Sequence, residues 1–188
     1  MPVVSGDAGL LRVRHRAAGG LLARGRLVSR FPAEVEAVLH ASGWAQGRAV
    51  PEASAEAIRQ VCAQPGADGS RHVPFPAAEH ALTEFGGLFV RQDEPGIELR
   101  RRPFALDPTM AAATAATLAD LGRVLGVQLF PLGVEGDGDA VLTIDERGRV
   151  FAFDHAGEWF LGASLDAALV TLITGISPPR VRDDGTWT

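Results

Sequence analysis

The stretch EFGGLFV, Glu84 to Val90, decides how the rest of the chain is read. Upstream, PAAEHALTEF carries Ala78, Leu82 and Phe85 at helical spacing, and downstream Leu88, Phe89 and Val90 form an apolar run suited to a strand. A phosphate-binding loop needs the reverse order: a strand, then glycines, then a helix N-terminus whose free N–H groups face the anion. Here the glycines follow a helix, where unpaired carbonyls and the negative end of the dipole repel phosphate. Gly86 is therefore expected as a left-handed C-cap, and Gly87 as the sharp turn into the strand. The pair carries fold, not nucleotide chemistry.

Working outward, FPAEVEAVLHASGW (Phe31–Trp44) has Pro32 at a helix start, Glu34 and Glu36 in the first turn, and Val35, Val38 and Leu39 as a stripe. Gly43 stops that helix, and Trp44 is expected to fold back onto its end. PEASAEAIRQVCAQ (Pro51–Gln64) predicts a second helix with Ile58, Val61 and Cys62 on one face. Beyond Val90, Ile97 and Leu99 alternate with charged neighbours, as in a half-buried strand. A long helix is predicted from about Pro108 to Leu125, capped by Asp107 and stopped by Gly126, with Leu118, Leu121 and Leu125 on its buried side. VQLFPLGV (Val127–Val134) is a strand interrupted by Pro131, hence an edge or a bulged strand. AVLTI, RVFAF and EWFLG follow as three short strands joined by turns rich in Asp and Gly, an antiparallel meander. SLDAALVTLITG closes with a helix, Ser164 as N-cap and Gly175 as stop. The order predicts an α+β fold: a mostly antiparallel sheet, with the meander in the C-terminal half and helices packed on one side.

At 188 residues the chain suits one domain, expected over residues 28–176, with a loose tail at 177–188. Cys62 is its single cysteine, so no disulfide forms within it, and no run approaches the ~18 apolar residues of a membrane span. All 18 basic residues are arginine; lysine and tyrosine are absent, a codon bias of GC-rich bacterial genomes with no bearing on function. Charge is unevenly placed. Residues 1–30 hold six arginines against Asp7, a net +5, while the rest holds 12 arginines against 22 acids, a net −10. Residues 1–27 are expected as a basic, disordered arm. Such an arm can serve nucleic acid or membrane binding, and it also fits an upstream extension of the reading frame before Val28.

Catalytic constellations are not found. His15, His40, His72, His80 and His155 stand in no zinc-binding spacing, Cys62 lies on an apolar helix face, and no GxSxG, GxxxxGK[ST] or GxGxxG occurs. EGDGDAVLTIDE puts Glu135, Asp137, Asp139, Val141, Thr143 and Glu146 at calcium-loop positions, but Ala140 replaces the required glycine and the flanks read as strands. Arg100 to Arg102 read as a solvated strand end rather than a nucleic-acid site. No catalytic residue, cofactor site or metal site is expected.

Five pieces taken together carry a resemblance: RFPAEVEAVLHASGW with QGR, EFGGL, LG…L.PLG, L.ID..GRV, and LG.S…AL..L..G. In this order and spacing, from about Phe31 to Gly175, the chain resembles the third subfamily of the SUKH superfamily, bacterial toxin-immunity proteins. The resemblance implies an α+β fold without catalysis that acts by binding a cognate secreted toxin, often a nuclease or nucleic-acid deaminase; a cytoplasmic location is expected. The family's marks fall on Gly43, Trp44, Glu84, Phe85, Gly86, Gly87, Leu88, Pro131, Leu132, Gly133, Asp145, Gly148 and Val150. Most are glycine or apolar, so they read as scaffold. The basic arm departs from the family's usual start. A regulatory or scaffolding module of the same fold, and a small hydrolase without a recognisable motif, are the other function classes open to the sequence.

The acidic body agrees with a basic partner, which it would steer in and dock. Neither nucleic acid nor membrane is expected as partner. The residues expected in the contact are Glu135, Asp137, Asp139, Asp145 and Glu146, read as acids gathered at one end of the meander, with Glu158 and Trp159 on the neighbouring strand.

Overall fold

The computed structural model describes residues 29–187; the basic arm, residues 1–27, lies outside them. Three helices come first: α1 (Ala33–Ala41), α2 (Pro51–Ala63) and α3 (Pro76–Phe85). Pro51 and Pro76 open α2 and α3, where a missing N–H costs nothing. The sheet follows: β1 (Phe89–Val90), β2 (Phe104–Ala105), β3 (Leu129–Glu135), β4 (Ala140–Asp145), β5 (Val150–Asp154) and β6 (Gly157–Gly162). All neighbours are antiparallel and spatial order equals chain order, so the sheet is one six-stranded meander. Between β2 and β3 lie a 3-10 helix (Pro108–Thr114) and α4 (Ala115–Leu125); α5 (Leu165–Thr174) closes the fold. The α+β class and the antiparallel meander are as the sequence predicts.

The large core lies between the sheet and α1, α2, α3 and α5, centred on Leu39, Trp44, Leu82, Phe85, Phe130 and Leu169. β5 shows the two faces: Val150 and Ala152 join this core, while Phe151 turns to the opposite face and packs with Leu118 and Leu121 of α4. Helices thus crowd one side as expected, and α4 covers part of the other.

Three local expectations change, and one open alternative closes. Ile97 and Leu99 form no strand; both are exposed, and the amides of residues 97–99 bond the carbonyls of Thr174 and Gly175 at the end of α5. The helix expected from Pro108 begins as 3-10 and becomes α-helical only at Ala115, because Ala111 leaves helical dihedrals (φ −118°, ψ 18°). Of the two places expected for Pro131, the bulge is the one found: the β3–β4 register shifts between Pro131 and Gly133, and β3 is flanked by β2 and β4. The tail is not loose. Phe160 and Val181 exchange backbone bonds with Pro179 and Glu158 along the outer edge of β6, at 2.9 and 2.8 Å. Trp187 stacks on Phe160 with ring centroids 4.5 Å apart and meets Phe151 edge-on at 5.5 Å. The tail therefore covers an otherwise open strand edge.

The two glycines exchange roles. Gly86 has φ −56° and ψ 141°, and Gly87 carries the left-handed conformation, φ +78°. Gly86 is needed for space: a Cβ there would press into the Leu82 carbonyl, which accepts the Gly86 amide at 2.8 Å.

Candidate functional site

Glu84 anchors the scaffold at the same stretch. Its carboxylate accepts from the indole Nε1 of Trp44 at 3.2 Å and from Arg30 at 2.5 Å, and Arg30 also bridges to Asp166 of α5 at 2.6 Å. Arg48 donates to the carbonyls of Glu84 and Gly86, at 2.5 and 2.8 Å, satisfying groups that the end of α3 leaves open. Trp44, folded back as expected, meets Phe31 edge-on and stacks on Phe85. Leu88 and Leu132 are buried, Gly133 lets β3 pass close to the Ala105 carbonyl, and Gly148 sits in the β4–β5 turn with φ +85°. These positions build the fold.

The acids expected to act together divide between two ends of the sheet. The register pairs Glu135 with Ala140, Val141 with Phe153 and Asp154 with Gly157, so the β3–β4 and β5–β6 turns share one end. The β4–β5 turn, with Asp145 and Glu146, lies a whole strand away, about 20 Å at ~3.4 Å per residue. Asp145 is also fully buried. It accepts from the amides of Arg147 and Arg149 at 3.0 and 2.8 Å and from Arg149 Nε at 2.5 Å, fixing the turn. Asp145 thus leaves the contact set as a structural residue, and Glu146 stays exposed at the far end.

At the shared end, Asp137 and Asp139 are exposed, and Asp139 pairs with Arg102. Glu158 and Trp159 are partly buried at the start of β6, with the Arg180 guanidinium over the Trp159 ring. Asp154, which the sequence reading passed over as a turn residue, joins them. Its Oδ1 accepts from the amides of Ala156 and Gly157 at 2.7 and 3.1 Å.

Between this end of the sheet and the C-terminus of α5 a cleft of about 420 Å³ opens, within the size range of ligand pockets. Ala152, Trp159 and Leu161 give it a wall from the sheet, and Leu172 and Ile176 a wall from α5 and the residues after it. Glu135, Arg102 and Asp154 supply charge. Burial pushes the Glu135 carboxyl above the usual carboxylate range; Arg102 works against this and Asp154 adds to it.

Other reactive groups are spent on structure. His72 is buried against Phe130, its Nε2 3.2 Å from the Ala112 carbonyl, and burial lowers its pKa. Burial raises that of Cys62. Among the described residues no group of three or more His, Cys, Asp or Glu stands together to hold a metal ion, and no helix is long and apolar enough to cross a membrane.

The model of the SUKH-3 immunity protein family matches residues 31–175. The chain belongs to this family. No curated protein and no solved structure matches it. The SUKH-3 match runs from Phe31, beside the Arg30–Glu84 pair, to Gly175 at the end of α5, and takes in every helix and strand described. The docked tail lies outside it. The SUKH-3 assignment agrees with the resemblance read from the sequence and implies a toxin as partner.

Proposed function

We propose that the protein neutralises one cognate toxin in the bacterial cytoplasm by direct stoichiometric binding, without catalysis. Membership of the immunity family carries this reading. The geometry supports a contact at the end of the sheet that holds Glu135, Asp137, Asp139, Asp154 and Glu158, with Trp159 beside them. An acidic end suits a basic, nucleic-acid-acting toxin, a nuclease or deaminase, because complementary charge speeds encounter and fixes orientation.

The test uses the toxin domain encoded beside this gene. Co-expression should restore growth, and the two proteins should elute as one complex whose affinity falls as salt rises. Reversing Asp137 and Asp139 to lysine should slow association at least about tenfold, while Glu146→Lys, at the far end, should change it little. Equal effects of the two reversals would refute this face. A toxin that kills equally with and without the protein would refute the immunity role.

A further inference from the structure

The cleft beside β6 holds a carboxylate that the fold leaves unanswered. Glu135 faces apolar walls, yet among the described residues no hydrogen-bond or ion-pair partner reaches its carboxylate. Of the two arginines that line it, Arg100 binds Asp93 at 2.7 Å, and Arg102 pairs directly with Asp139, attracting Glu135 only through space and too weakly to offset its burial. Asp154, close enough to act on Glu135 electrostatically, spends one oxygen on its own turn. Two neighbouring carboxylates in a partly dry cleft disfavour each other's charge. The free energy lost in this way is recoverable by a cation that enters.

We propose that the cleft receives one basic side chain of the partner. Its aliphatic stem lies along Trp159, Leu161 and Leu172, and its cationic head binds Glu135, with Asp154 adding attraction. A bare metal ion does not suit this place, since it needs more oxygen ligands than two carboxylates supply and gains nothing from apolar walls. A basic side chain uses both halves of the cleft. At the mouth Leu99 and Ile176 remain exposed, at 48 and 39%. They form an apolar rim that a partner surface around the inserted side chain would cover, the arrangement of an anchored interface. This inference rests on the toxin-binding reading for the identity of the partner, but the preference of the cleft for a cation stands on the geometry alone.

The full chain, labelled with ¹⁵N, is titrated with N-acetylarginine amide and with its neutral isostere, N-acetylcitrulline amide. The arginine compound should saturably shift the Trp159 indole and the amides of Ala140, Ala152 and Leu161. It should bind at least about fivefold better than the citrulline compound. Glu135→Gln should erase that difference while the rest of the spectrum stays unchanged. Equal binding of the two compounds, or an arginine preference that survives Glu135→Gln, overturns the proposal.

A second arm, in cells expressing the neighbouring toxin, places the cation on the partner. Glu135→Gln should lower protection and Glu146→Lys should not. Full protection by Glu135→Gln overturns the assignment of the cleft to the partner. A parent chain that binds the arginine compound but never protects overturns the toxin as source of the cation and leaves the cleft's chemistry in place.

Discussion

Gly86 and Gly87 stand side by side for different reasons, and substitution separates them. Gly87 is left-handed with open space around its missing Cβ, so Gly87→Ala costs only the backbone term, about 1–2 kcal/mol. Gly87→Asn should recover part of that, since asparagine tolerates this conformation. Gly86 lies in a region open to any residue, but its Cβ would enter the Leu82 carbonyl. Relief requires Gly86 to move away, which stretches its amide bond to Leu82 (2.8 Å) and the Arg48 bond to its carbonyl (2.8 Å). At roughly 1 kcal/mol per bond and 1–3 for the steric term, Gly86→Ala should cost about 2–4 kcal/mol, and asparagine should not rescue it. For a domain of this size each kcal/mol lowers the thermal midpoint by about 2–4 °C. Circular dichroism melts of Gly86→Ala, Gly86→Asn, Gly87→Ala and Gly87→Asn read all four. The steric account fails if Gly86→Ala is milder than Gly87→Ala, or if asparagine restores position 86.

Removing residues 179–188 should expose Phe151, Phe160 and the β6 edge, cost on the order of 3 kcal/mol and promote self-association; an unchanged melt and a monomer by sedimentation would contradict this. Asp145→Ala should cost about 3–5 kcal/mol by stranding Arg149 and two turn amides, whereas Glu146→Ala should fall within about 0.5, both read by urea unfolding. Glu135 carries a pKa raised in the folded state, so the folded chain holds this proton more firmly than the unfolded chain. Its ionisation therefore erodes stability as pH rises through the interval between the ordinary value, 4.5, and the raised one. Glu135→Gln should accordingly raise the melting midpoint near about pH 8 and lose that advantage near about pH 4; a variant less stable at the higher pH would show that the carboxylate is well satisfied.

Punctuation made most of the fold legible. Proline at the start of α2 and α3, Ser164 at the start of α5, and left-handed Gly126 and Gly175 at helix ends each act through local backbone chemistry, which sequence displays directly. Errors arose where a partner decides. Ile97 and Leu99 alternate like a strand, but no strand lies beside them, and their amides serve the last carbonyls of α5. Trp187 at the far end looked unattached because Phe151 and Phe160, which receive it, are distant in sequence. Arg30 and Arg48 lock α3 in place through acceptors 36 to 136 residues away, a reach that no spacing rule anticipates.

The candidate site was misgrouped for a reason that the sequence itself contained. Five acids within twelve residues are close along the chain, but β4 runs through the middle of them. In an antiparallel meander successive turns alternate between the two ends, so alternate turns meet and adjacent turns never do. Once β3 to β6 are read as a meander, parity alone groups Asp137 and Asp139 with Asp154 and Glu158, and sends Asp145 and Glu146 to the opposite end. The Asp145-x-x-Gly148 spacing likewise announces a carboxylate turned back on its own turn amides rather than outward. A partner approaching the shared end meets charge from two turns with the cleft between them. A partner at the other end meets Glu146 next to an aspartate already spent on Arg149. The salt-sensitive step of binding should therefore follow the charge of the first end and be indifferent to that of the second.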